Sequence, residues 1–145
     1  MAFSGSAICN SFRTELLKAL HNFSSVAGNA FNIALYSNAA TLSATTPAYT
    51  ITGEIPNGSG YTTGGVLMGN VEPTATGAIA FTNFSPDPSW TSATFTARGA
   101  LIYNTSSSNR SVCVLDFGSD KPVSNGTFTV VMPPNVAASA LLRLE

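Results

Sequence analysis

Turn-forming residues come too often along this chain for long helices to survive. Clusters of Gly, Pro and Asn stand at Pro56-Asn57-Gly58-Ser59-Gly60, Gly64-Gly65, Pro86-Asp87-Pro88, Asn125-Gly126 and Pro133-Pro134. Glycine admits positive φ and proline removes a backbone donor, so each cluster stops or bends a regular element. Short apolar segments are left between them, most with period two. Phe31, Ile33 and Leu35 alternate with Asn32, Ala34 and Tyr36, which predicts a half-buried strand. Tyr49 and Ile51 alternate with threonines and predict another; Val66-Leu67-Met68 follows the double glycine, and Ile79 with Phe81 and Thr94-Phe95-Thr96-Ala97 predict two more. The clearest hairpin has Gly99-Ala100-Leu101-Ile102-Tyr103 as one arm, a polar tip over residues 104–110, and Ser111-Val112-Cys113-Val114-Leu115-Asp116-Phe117 as the other. Both arms are apolar on each face, so the hairpin belongs in the middle of a sheet. Residues 127–132 and 140–144 complete about eight short strands, a spacing that predicts an all-β fold, mainly an antiparallel β-sandwich or jelly-roll-like barrel.

One segment has helical period instead. Ile8, Phe12, Leu16, Ala19, Leu20 and Phe23 recur at steps of three and four, while Arg13, Glu15, Lys18 and His21 fall mostly elsewhere on the wheel. An amphipathic α-helix is expected from about residue 7 to 22, ending before Ser24-Ser25 and Gly28, with its stripe laid on its own sheet or on a neighbour. No linker or internal repeat interrupts the chain, so residues 1–145 read as a single domain with an N-terminal arm and helix over about residues 1–23.

Charge is scarce. Only 9% of the residues are Asp, Glu, Lys or Arg, against about 25% in ordinary soluble domains. Ser, Thr, Asn and Gly take their place. A surface with so few charges does little to keep copies apart, and part of it is expected to lie against a partner, as in an oligomer or a lattice. The six basic residues, Arg13, Lys18, Arg98, Arg110, Lys121 and Arg143, are scattered and the net charge is −1, which argues against nucleic acid. Between Lys18 and Glu54 only His21 can carry charge, yet polar residues break that stretch too often for a membrane span. The first residues lack a basic region followed by an apolar one, so synthesis in a cytoplasm is expected. Cys9 and Cys113 are far apart in sequence and belong to no cluster, which predicts buried free thiols.

Candidate chemistry is thin. His21 has no identifiable nucleophile or orienting group beside it, and three His and Cys residues in all are few for a zinc site. Asp116 and Asp120 are the close carboxylate pair, and they are expected to be structural: Asp120 turning the chain through its own backbone, with Lys121 as its charge partner. Gly58, Gly60, Gly64 and Gly65 lack the Lys-Ser/Thr of a phosphate loop, and no calcium loop is present. The expectation is a protein that is not an enzyme, with no cofactor, metal or small-molecule substrate. Arg98 breaks an apolar run; it pairs either with Asp116 inside the chain or with an acidic group of another subunit. Trp90 is core filler or a contact residue, and Phe3 sits on an arm that could dock. Phe3, Ile8, Phe12, Leu16, Trp90 and Arg98 are therefore the candidate interface residues.

Three blocks carry a resemblance: Ala97-Arg-Gly-Ala-Leu-Ile-Tyr-Asn104, Asn109-Arg-Ser-Val-Cys-Val-Leu-Asp-Phe-Gly-Ser-Asp120, and Gly126-Thr-Phe-Thr-Val-Val-Met-Pro133. With Phe12-Arg-Thr-Glu-Leu-Leu-Lys18 and Phe31-Asn-Ile-Ala-Leu-Tyr36, they resemble a family of small structural proteins of tailed bacteriophages. The similarity spans nearly the whole chain and is weakest over residues 42–76. It implies a virion component, a capsid decoration or cement protein on the capsid exterior, made in the host bacterial cytoplasm. The partners it implies are the major capsid protein and the chain itself, as a homotrimer or a dimer; it implies no functional residues. A phage tail, neck or fibre component is the alternative. A carbohydrate-binding module, with Trp90, Tyr49, Tyr61 and Tyr103 as sugar platforms, is the third reading.

Overall fold

One long β-hairpin organises the molecule. The computed structural model describes residues 3–145. In chain order the elements are β1 (Ala7–Ile8), α1 (Asn10–Leu17), β2 (Phe31–Tyr36), β3 (Val66–Met68), β4 (Thr74–Thr76), β5 (Ile79–Thr82), β6 (Ser89–Asn104), β7 (Arg110–Thr129) and β8 (Leu142–Leu144). They form an antiparallel five-stranded sheet in the order β1-β7-β6-β2-β3 and a three-stranded sheet in the order β4-β5-β8. This is an all-β, sandwich-like fold with one N-terminal helix. A single apolar core runs from Phe3 to Leu142 and takes side chains from both sheets.

Strands β6 and β7 merge segments that the sequence pattern separates. Their pairing runs from Asn104↔Arg110 at the tip to Ser89↔Thr129 at the far end, with several register shifts. Between the pairs Gly99↔Asp116 and Ala97↔Lys121, β7 uses more residues than β6, and residues 117–120 bulge outward with Gly118 at φ +79°. Ser92 (φ +50°) and Asn125 (φ +47°) mark further irregularities. Such bulges bend a ribbon without ending it. The bend is large: the rings of Phe117 and Phe128 are 6.1 Å apart although both belong to β7. In a straight strand they would be roughly 35 Å apart, at ~3.3 Å per residue.

β2 is buried on both faces, not on one as the alternation suggests. Phe31 packs on Phe23 and Phe84, while on the opposite face the loop of residues 49–64 covers it, with Tyr36 donating to Thr50 O at 2.6 Å and Asn32 to Gly64 O at 3.3 Å. That loop contains the segment expected as a strand around Tyr49 and Ile51. In place of a strand this stretch makes isolated bridges to the sheet, Ala48↔Arg110 and Tyr36↔Glu54, with backbone bonds from Ser111 N–H to Pro47 O at 3.1 Å and from Ile55 N–H to Leu35 O at 2.9 Å.

The helix is shorter than residues 7–22. Ala7 and Ile8 pair with Val114 and Cys113 as a strand, Cys9 is extended at the N-cap, and Ala19 takes φ +56° one residue after the C-cap Lys18. Ala19 N–H then closes onto Leu16 O at 3.0 Å and Leu20 N–H onto Glu15 O at 3.0 Å, a left-handed stop. Phe23 keeps the apolar periodicity but packs from the loop, where His21 is also buried. Among the described residues no helix is long and apolar enough to cross a membrane.

Candidate functional site

The six candidate interface residues divide into a buried group and a half-buried one. Phe3, Phe12 and Trp90 are buried in the core of their own chain, and Ile8 and Leu16 are half-buried against it. Phe3 returns over β6: its ring fills the space above Gly99, where a Cβ would come within 2.4 Å of Phe3 Cε1. The Arg98 guanidinium lies 5.8 Å from the same ring centroid and forms an ion pair with Asp116 of its own chain. Asp116 also binds the arm, accepting from Gly5 N–H at 3.1 Å while its own N–H donates to Ser6 Oγ at 2.9 Å. The Gly118 N–H first, and Arg98 with it, hold the Asp116 carboxyl below the usual carboxylate range. The arm is thus tied down by an intrachain cation–carboxylate pair. Asp120 does not act as expected: it sits within β7 and accepts from Asn38 Nδ2 at 3.0 Å in place of Lys121. The indole N–H of Trp90 is buried with no acceptor among the described residues.

Two buried polar clusters were not legible in the sequence. In the first, Glu54 is buried and accepts three bonds, from Tyr49 OH at 2.6 Å, Tyr61 OH at 2.6 Å and Gly64 N–H at 2.7 Å. Tyr61 OH in turn accepts Leu35 N–H at 3.0 Å, at the part of β2 that β3 does not reach, and Tyr103 OH donates to Gly64 O at 2.7 Å. Glu54 therefore staples the loop layer onto the sheet. Its one sequence signal is isolation, as a lone carboxylate among Tyr49, Ile51, Ile55 and Tyr61. In the second cluster, His21 Nε2 lies 2.8 Å from Glu15 Oε2, and Glu15 Oε1 accepts from Arg110 at 2.8 Å. Asn104 and Asn29 complete it.

The tyrosines give a pH prediction. Burial foremost, and then the Glu54 charge, raise Tyr36 well above the ordinary phenol range; burial, followed by the bond to Glu54, does the same for Tyr61. Folded chains keep these protons when unfolded chains release theirs near pH ~10. The stabilisation is complete below that pH and is lost above it, by about 1.4 kcal/mol per pH unit for each tyrosine. Denaturation midpoints measured between pH 8 and 12 should begin to fall near pH ~9, where unfolded chains release thiol protons that buried Cys9 and Cys113 keep, and fall more steeply beyond pH ~10.

Glu54 and His21 line neither of the two grooves described below. Of the candidate sugar platforms, Trp90, Tyr61 and Tyr103 are buried, and Tyr49, stacked on Tyr103 at 4.6 Å, is half-buried. Cys9 and Cys113 are free and buried; burial pushes the Cys9 thiol up to about 11 and raises Cys113 further. Among the described residues, no group of three or more His, Cys, Asp or Glu could hold a metal ion.

The surface is more distinctive. Leu17 is 91% exposed, Val26 93%, Val131 76% and Leu67 69%. Val131 borders an open groove of about 480 Å³ where β7 curls back, whose walls mix apolar Leu115, Phe117, Phe128 and Val130 with the charged Asp116 and Lys121. A second groove, of about 330 Å³, lies between residues 55–59 and 94–96 and has no charged lining residue. No family model, curated protein or solved structure matches the chain.

Proposed function

We propose that the chain is a structural protein of a tailed-phage particle, a capsid decoration protein that binds the assembled major capsid protein and other copies of itself on the outside of the shell. The observation that carries this reading is the set of large apolar side chains left in solvent, Leu17, Val26, Leu67 and Val131, on a surface with few charges. Isolated exposed apolar residues are ordinary, but several of them on a charge-poor surface, one beside a groove with Phe117 and Phe128 in its wall, favour packing against other protein. The resemblance of the hairpin and strand blocks to phage structural proteins points the same way.

The mechanism is mechanical. Each copy stabilises the shell by removing apolar surface from water across capsomer seams, at about 25 cal/mol per Å², and the contribution repeats over the lattice. Phe3 and Phe12 add little to such a contact because they are already packed internally. Removing residues 1–10 would take a ring out of the core, so Val131→Asp and Leu67→Asp are cleaner probes of the contact surface. Quantitative gel densitometry of purified particles tests the reading. A decoration protein gives hundreds of copies per particle; a tail, neck or fibre component gives tens or fewer, and that count would reassign the chain.

A further inference from the structure

The outermost strands of the two sheets are β1, β3, β4 and β8. An outermost strand presents unpaired N–H and C=O groups, and proteins blunt such edges by keeping them short, covered or charged. β1 has two residues. β3 is held at its flanks, where Gly64 O accepts from Tyr103 OH and Gly69 O from Ser85 N–H. On β8, Arg143 turns its guanidinium onto the carbonyls of Ala137 and Ala138. β4 has neither cover nor charge: residues 72–78 are all exposed, and from Pro73 to Thr82 no side chain is ionisable. The turn after β4 shows which of its backbone groups are free. Gly77 and Ala78 join Thr76 to its partner Ile79 as a two-residue loop, with Gly77 at φ +61°, and such loops close on a pair that exchanges both backbone bonds. Bonded and non-bonded pairs alternate along an antiparallel ladder, so Thr76↔Ile79 and Thr74↔Phe81 are bonded and Ala75↔Ala80 is not. Ala75 therefore directs its N–H and C=O away from β5, along the exposed edge.

We propose that β4 is a self-pairing edge, onto which a second copy of the chain lays its own β4 antiparallel about a two-fold axis at Ala75. The sequence is symmetric about that residue, Thr74-Ala75-Thr76, so the strand is its own complement. The two Ala75 residues exchange both backbone bonds, and Thr74 of each copy faces Thr76 of the other, a pairing that packs and hydrogen-bonds across strands. Glu72 of each copy falls opposite Ala78 of the other and meets no like charge; it already accepts from Ser24 and Ser25 of its own chain. The three-stranded sheets of two copies thereby become one. The contact is small, so free chains pair weakly, with a Kd on the order of 0.1–1 mM, whereas copies held side by side on a shell meet at a higher effective concentration. This edge deepens the self-association in the reading above and rests on that part of it.

The test places a cysteine on the axis of the full chain, whose native thiols are buried. Two-fold pairing sets the two Cα atoms at position 75 about 5.5 Å apart, within disulfide reach. With oxidised glutathione as the electron acceptor, Ala75→Cys should give a covalent dimer at least about tenfold faster than Leu17→Cys, an exposed control on α1. In sedimentation equilibrium the native chain should dimerise as its concentration rises towards about 1 mM. Ala75→Lys, which sets two like charges face to face, should weaken that dimer at least about tenfold. Equal crosslinking rates for the two cysteine variants, a native chain that stays monomeric throughout, or an Ala75→Lys chain that dimerises as the native one does would each overturn the pairing. Should the lysine variant fail to fold, the crosslinking rates decide. Copy number per particle does not depend on β4, so hundreds of copies without position-75 crosslinks would sink this edge and leave the capsid reading standing.

Discussion

Replacing Phe31 with alanine should lower the free energy of unfolding by about 3–5 kcal/mol, the range for a fully buried phenylalanine whose site cannot collapse. Phe31 is 0% exposed. Its ring stacks on Phe23 at 4.5 Å and 7° and meets Phe84 at 5.5 Å. Those partners come from the loop after α1 and from the segment before β6, so one ring holds the helix end, β2 and the approach to the long hairpin together. The backbone around it is fixed by pairing with Met68 on one side and Asn104 on the other, which prevents the strand from closing the void. Phe31→Leu keeps most of the volume and should cost roughly 1–2 kcal/mol. Denaturant titration checks both: the midpoint should move at nearly constant slope. A loss below about 1 kcal/mol for the alanine variant would mean that the aromatic cluster is not packed as described.

Glu54→Ala should cost about 3–4 kcal/mol, because it strands buried donors at roughly 1–3 kcal/mol each. Tyr61 OH and Gly64 N–H lose their acceptor inside the protein, while half-buried Tyr49 can turn to water. Glu54→Gln is the informative contrast. Its carbonyl can still serve Tyr61 and Gly64, and its amide can donate to Tyr49, so about 1 kcal/mol is expected. The alanine variant should also become protease-sensitive between residues 49 and 64, since that layer is stapled through this carboxylate, with cleavage followed by mass spectrometry. Equal stability of the alanine and glutamine variants would remove Glu54 from the role given to it.

The sequence made the centre of the fold readable where local signals and tertiary structure agree. The arms around residues 99–103 and 111–117 are apolar on both faces and lie inside the five-stranded sheet, with Leu101 opposite Val114. It misled where a turn signal serves another purpose: Asn125-Gly126 bends a continuous strand, since a bulge and a turn both ask for residues that tolerate positive φ. Helical periodicity overran α1 because Phe23 packs toward the same core from a loop. Phe3 and Arg98 stood out in the sequence as departures from pattern, but whether their partners lay inside the chain or outside could not be read. The structure supplies inside partners in Gly99 and Asp116. Asn29 and Asn104 meet across 75 residues, and neither carried a signal among so many asparagines.

Cosedimentation of the purified chain with empty, pre-assembled capsid shells of tailed phages tests most directly the proposal that it acts by packing against other proteins. Saturable binding at hundreds of sites per shell, lost in Val131→Asp or Leu67→Asp variants that still fold, is the predicted result. A folded chain that stays in the supernatant at every concentration, with shells intact, would contradict it.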